Sequence, residues 1–209
     1  QSFQLLLAFL AGIFHTRLAR ESRFRWMAHF STFMGLFLLG LLSVVTGLVT
    51  EILIPLFHLH HPVTDALANA DHPVTALLNE VLGLVLLVGL VLILYHRYVQ
   101  REPQLRSIAE DHIVLVLLTL IALSGYPLEA FRLLAEGLPS QEAIWGFLGF
   151  GLAAMLRPLH WPWEALHYWL FFGHVALCTT LLLYLPFSKF FHVVMSPLIL
   201  ALNSLEEAS

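Results

Sequence analysis

The chain has 209 residues, of which 59% are hydrophobic and only 11% charged, where an average soluble domain carries about a quarter Asp, Glu, Lys and Arg. With a net charge of −4 and a single cysteine, Cys178, inside an apolar run, it has no basic face for nucleic acid, no disulfide framework and no Cys-ligated zinc or iron–sulfur site. The composition is that of a small integral membrane protein, and its unusual component is histidine, 12 residues against 10 lysines and arginines together.

Residues 3–17 are apolar up to Arg17. They are expected to form the second half of a first membrane helix whose beginning precedes Gln1. Residues 26–50, bounded by Arg25 and Glu51, carry no Asp, Glu, Lys or Arg and are long enough to cross a bilayer core, which takes roughly 20 apolar residues. The same holds for 165–188, between Glu164 and Lys189. Stretches 78–96 and 112–131 are shorter in charge-free length but extend through apolar flanks, so both are expected to span. Residues 143–156 are apolar but short, with Gly146, Gly149 and Gly151 among them, which predicts a non-spanning or re-entrant helix. The expected fold is one all-α integral membrane domain over 1–209, a bundle of about five transmembrane helices.

Basic residues collect in cytoplasmic loops. Arg17, Arg20, Arg23 and Arg25 lie between the first and second spans, Arg97, Arg101 and Arg106 between the third and fourth, and Lys189 after the fifth, leaving only Arg132 and Arg157 for the other side. The N-terminus is therefore expected outside and the C-terminus in the cytoplasm.

Direction gives each histidine a depth. His29, near the start of the second span, and His192, after the fifth, are expected at the same inner level. His174 lies in the outer half of the fifth span. If the helix continues unbroken, the 18 residues from His174 to His192 make five whole turns, about 27 Å, on one face. A lone membrane histidine is commonly a neutral group hydrogen-bonded to a neighbouring helix. Two imidazoles at one depth on two helices instead form a clamp for a planar macrocycle, and bis-His ligation gives a low-spin haem suited to electron transfer. His58, His60, His61, His72 and His160 fall in outer loops, and His15, His96 and His112 near the inner surface.

Residues 185–197, LPFSKFFHVVMSP, with His174 upstream, resemble the last helix of the membrane cytochrome b subunits of respiratory nitrate reductases. The resemblance extends through 25–35 (RWMAHFSTFMG), the 83–97 helix and 106–132 with Asp111, Gly125, Glu129 and Arg132. The stretch 124–132, SGYPLEAFR, is more similar to relatives in sulfite-reductase-linked and heterodisulfide reductase membrane complexes. The resemblance implies two stacked b haems and electron exchange between a quinone-type carrier and a cytoplasmic iron–sulfur subunit, with other membrane or periplasmic cytochrome subunits as further partners. It implies His29 and His192 as the inner pair of ligands and His174 as one outer ligand. The second outer ligand of the nitrate-reductase type falls here on Leu39, which does not bind iron, so the fourth ligand is expected among His58, His60, His61, His72, His160 and His167.

The resulting expectation is an electron-conducting subunit of a quinone-linked oxidoreductase in the cytoplasmic membrane of a prokaryote, with no nucleic-acid partner. Glu51, Glu80, Glu129 and the outer histidines are the candidate proton-active groups beside the quinone. Two alternatives stand beside it: a proton-coupled transporter using a His and Glu relay, and a haem-free anchor for a soluble enzyme.

Overall fold

The computed structural model describes residues 22–100, 109–138 and 143–188. The first expected span, 3–17, and the ligand candidate His192 lie outside the described residues. Among the described residues the chain is entirely helical, and four helices are long and apolar enough to cross a membrane, at Arg23–Phe57, Pro73–Gln100, His112–Ala135 and Trp163–Phe187.

Helix α1 begins at Arg23, where the Ser22 side chain accepts from the Arg25 N–H at 3.4 Å, supplying an orphan donor of the first turn with a partner. It runs to Leu48, widens into a π-turn at Val49–Leu53 and continues over Ile54–Phe57. Pro55 lacks the N–H of a regular rung, and a wide turn just before it accommodates that gap. The helix thus passes the expected limit at Glu51, which stays exposed on its surface. It stops only where His58 turns left-handed, at φ 48°.

A short helix, α2 (Pro62–Ala68), leads into α3 (Pro73–Tyr95), which widens at His96–Gln100. Helix α4 (Ala109–Ala135) carries Pro127 in its interior. A 3₁₀ turn at Ala143–Trp145 precedes α5 (Phe147–Leu156), the short non-spanning helix expected from the sequence. Helix α6 covers Trp163–Tyr184 and passes into a 3₁₀ turn at Leu185–Phe187, and Ser188 is then extended, at φ −99° and ψ 158°. The unbroken helix from His174 to His192 is therefore corrected. Pro186 withholds an N–H and the helical phase is lost at Ser188, so helix periodicity no longer fixes the face of His192.

The spans pack as antiparallel neighbours. Phe24 at the start of α1 meets Tyr95 and His96 at the end of α3, with ring centroids 6.3 and 5.5 Å apart. Between these ends the backbones nearly touch. A Cβ on Gly35 would lie 2.5 Å from the Leu86 nitrogen, and one on Gly89 would collide with the Thr32 nitrogen and hydroxyl. Lipid is as apolar as leucine, so helices in a membrane associate through this kind of close van der Waals approach across small residues. Leu86 and Leu90 of α3, Val114, Leu115, Leu118 and Ile121 of α4 and Leu181 of α6 form the central core. A second cluster, Ala130, Leu133, Ala143 and Ala153, seats α5 against the far end of α4. Large apolar side chains such as Trp169, Leu182, Leu183 and Phe187 point outward, the arrangement a lipid solvent favours.

Candidate functional site

The four long helices enclose a cavity of about 760 Å³, lined mostly by apolar side chains of α1, α3, α4 and α6. Its depth follows from the contacts between helices. Thr32 touches Gly89 and Gly35 touches Leu86, so one turn further Leu39 stands near Gly83. Gly83 in turn meets the Tyr126 hydroxyl, which lies two residues beyond Ser124, the partner of His174. His29 and Ile93 line one end of the cavity, and His174 lines it nearer the other. The ten residues from Ile93 to Gly83 place these two levels about 15 Å apart along the helix axis.

His174 is tied to α4 by a hydrogen bond. The Ser124 hydroxyl oxygen lies 3.1 Å from the Ile121 carbonyl and 2.8 Å from Nδ1 of His174. Where the serine proton goes to Ile121, Nδ1–H is the donor and Nε2 of the neutral imidazole keeps its lone pair; where it goes to Nδ1, the ring proton sits on Nε2. The first of these states is the arrangement of a metal-ligating histidine, whose other ring nitrogen donates to an outer acceptor. The sequence pattern singles out His174; Ser124 opens the SGYPLEAFR stretch, but it is 50 residues away and nothing local pairs it with the histidine.

The outer-loop histidines do different work. His61 and His72 begin α2 and α3, and their Nδ1 atoms accept from Val63 N–H at 3.3 Å and Val74 N–H at 3.4 Å. A backbone N–H only donates, so in each neutral ring the proton sits on Nε2 and neither nitrogen is open to iron. His60 donates from Nδ1 to Asp65 at 3.1 Å, and His160 from Nδ1 to the Pro158 carbonyl at 2.6 Å, which leaves Nε2 of each with its lone pair when the ring is neutral. His58 ends α1, and His167 lies against Phe171 with ring centroids 6.3 Å apart. Of these six candidates, none lines the cavity with His29 and His174. Leu39 does line it, packed against the central core.

The far end of the cavity is its polar end. Glu80 is buried, 5% exposed, and accepts through Oε1 from the backbone N–H groups of Leu148 and Gly149 at the start of α5. A carboxylate suits that helix terminus because it satisfies orphan donors and faces the positive end of the helix dipole. Arg132 binds Glu129 at 2.7 Å, Glu136 at 2.8 Å and Asp71 at 2.5 Å, tying the loop before α3 to the end of α4. The Tyr126 hydroxyl is buried with no hydrogen-bond partner among the described residues. No group of three or more His, Cys, Asp or Glu side chains able to hold a metal ion occurs among the described residues.

An antiparallel bundle of four long apolar helices, with His29 and His174 lining an apolar cavity between them, defines a multi-pass integral membrane protein of the helical-bundle type. The family described as nitrate reductase gamma subunit matches residues 15–204, and this chain belongs to that family. It is also similar to a dihydromethanophenazine:CoB–CoM heterodisulfide reductase subunit of Methanosarcina acetivorans, at 29% identity over 192 residues, covering 91% of this chain and 63% of the relative. The subunit of the same name in Methanosarcina mazei is 28% identical over 193 residues, covering 91% of this chain and 64% of the relative. The chain thus spans a little under two thirds of the length of these relatives. No solved structure matches it.

Proposed function

We propose that the chain is a membrane-anchoring b-type cytochrome subunit that conducts electrons between a quinone-type carrier and an iron–sulfur partner subunit of an oxidoreductase complex. The observation that carries this reading is the position of His174, which lines the apolar cavity with its Nδ1 2.8 Å from the Ser124 hydroxyl, a contact that leaves Nε2 for iron when the serine gives its proton to Ile121. A histidine that served only packing or helix-to-helix bonding has no need of an apolar cavity beside it. The relatives named as heterodisulfide reductase subunits support a place in a redox complex.

Haem b, when bound, supplies one-electron carriage through its iron. His29 and His192 would hold an inner haem and His174 an outer one, with the fourth ligand among His58, His60, His160 and His167, since His61 and His72 spend Nδ1 on helix caps. The helix backbones and Leu36, Leu39, Leu86 and Ile121, all along the cavity wall, keep water from the macrocycles. The basic end of the bundle, with Arg23, Arg25 and Arg97, is read as cytoplasmic and faces the iron–sulfur partner, in the cell membrane of a prokaryote. The carrier would enter at the opposite end.

The test is an ultraviolet-visible spectrum of the purified protein before and after dithionite. Sharp reduced b-type bands are expected. Their absence from protein purified with intact membranes would leave the chain as a haem-free anchor or a transporter.

A further inference from the structure

A carboxylate is buried in the bundle without a cation of its own. Glu80 lies on α3 about two turns in from Pro73 and is 5% exposed. Its Oε1 accepts from the Leu148 and Gly149 N–H groups at the start of α5, and among the described residues it makes no ion pair and no hydrogen bond to a side chain. Glutamine would accept from the same two N–H groups through its amide oxygen, so the seating of α5 does not by itself require a charge. The helix end offsets part of the cost of burying one. An ionised group in an apolar interior remains expensive all the same, and in a membrane it commonly marks a proton or ion path.

The groups around Glu80 do not neutralise it. From α4, Glu129 and Tyr126 line the same cavity, and Arg132 is already bound to Glu129 at 2.7 Å, Asp71 at 2.5 Å and Glu136 at 2.8 Å. Asp71 and His72 stand in the turn before α3, and Asp65 of α2 pairs with His60. Helix α5 has no titratable side chain, and Glu51 of α1 is exposed on the helix surface. Helix α6 brings His174 to the wall of the cavity that Glu80 lines.

Resting on the reading of the chain as a b-type cytochrome, we propose that Glu80 is the redox-linked proton site of the haem that His174 would hold. Glu80 binds one proton from the aqueous phase at the polar end when that haem gains one electron from the carrier or the partner subunit. The carboxylate becomes the acid, with the proton on Oε2 because Oε1 stays with the N–H groups of α5. When the electron leaves, the proton is released. An added electron and a carboxylate are like charges beside one apolar cavity, where their repulsion is stronger than in water, and proton uptake relieves it. This coupling acts through space and needs no contact between Glu80 and the macrocycle.

The experiment is a redox titration of the b bands of the purified full chain from about pH 6 to about pH 9, a range in which buried carboxyl groups titrate. His174→Ala identifies the component that belongs to His174. Its midpoint is expected to fall as pH rises, with a slope approaching one proton per electron. Glu80→Gln keeps the acceptor for α5 and removes the charge. It should raise the midpoint at the alkaline end, leave it near wild type at the acid end and so remove most of the slope, with haem content unchanged. Glu136→Gln removes an equal charge from the exposed rim, where water and salt screen it, and should keep the wild-type slope. A midpoint that does not move with pH in the wild type, or a slope that Glu80→Gln preserves, overturns the proposal. If Glu80→Gln loses haem, Glu80→Asp takes its place: infrared difference spectra should show a protonated-carboxyl C=O band that forms on reduction and shifts in frequency in Glu80→Asp. An unshifted band, or none in the wild type, overturns the proposal. Protein with b bands of which His174→Ala removes none also overturns it, whereas protein with no b bands at all overturns the cytochrome reading itself.

Discussion

Nδ1 of His174 and Oγ of Ser124 stand 2.8 Å apart across the interface of α4 and α6, and the same hydroxyl lies 3.1 Å from the Ile121 carbonyl. Removing the hydroxyl should free the imidazole to rotate and to exchange tautomers. Substitutions of such outer partners typically cost ten- to a hundredfold in metal affinity. Ser124→Ala is therefore expected to lower occupancy of the outer haem or shift its midpoint potential while the inner haem is unchanged, as read by a redox titration of the reduced bands. Ser124→Thr, which keeps the hydroxyl, should restore it. Identical titrations for wild type and Ser124→Ala would remove the serine from the site.

The inner pair makes a separate prediction. His29→Ala and His192→Ala should each abolish one and the same haem and leave the other spectroscopically intact, because both residues are assigned to the same axial pair. Loss of two different haems, or of none, would dissolve the pairing.

The crossing of α1 and α3 is set by glycine. A methyl at Gly89 meets backbone atoms of Thr32 and Ser31, whereas one at Gly40 meets nothing within 4 Å. Overpacking a tight contact costs about 1–3 kcal/mol. Gly89→Ala should lower the thermal midpoint of the purified protein in detergent, and Gly40→Ala should leave it within error. Equal effects at the two positions would argue against close approach as the basis of the pairing.

Much of this arrangement is legible in the sequence, and the limits of that reading are physical. Charge-free runs bounded by Arg25, Glu51, Glu164 and Lys189 mark the spans, because hydrocarbon length is a constraint that every membrane helix meets locally. The extension of α1 past Glu51 is not legible, since a charge at the interface tolerates helix and only the left-handed turn at His58 ends it. Pro186 is visible as an interruption of α6, but whether a proline bends or ends a helix depends on the backbone of the residues after it, and here Ser188 is extended. The histidines can be named from the sequence but their tautomers cannot, because the Ser124 contact is long-range and the caps at His61 and His72 depend on backbone turns.

Topology rests on the distribution of basic residues, eight of ten on one side in the sequence reading. A phosphatase reporter inserted between Asp65 and Asp71 is expected to be active outside the membrane, and a cytoplasmic reporter fused after Ser209 active inside. The reverse pattern would invert the assignment of the basic end and move the iron–sulfur partner to the opposite face.

The number of haems turns on Leu39, which occupies the position of the missing ligand and lines the cavity near the level of His174. An outer haem therefore needs a second ligand brought in from a loop, and the ring tautomers rank the candidates. His60 and His160 keep an Nε2 lone pair, their Nδ1–H groups being held by Asp65 and by the Pro158 carbonyl, whereas His61 and His72 spend Nδ1 on helix caps. A single inner haem would leave about 15 Å between the level of His29 and that of Tyr126, and electron transfer falls steeply over such a gap. Pyridine haemochrome analysis is therefore expected to give a ratio near two haems per chain. His60→Ala or His160→Ala should then lower the ratio toward one as His174→Ala does, while His61→Ala and His72→Ala should affect the ends of α2 and α3 and leave haem content intact. A ratio near one that His174→Ala does not change would eliminate the outer haem and place the carrier beside the inner one.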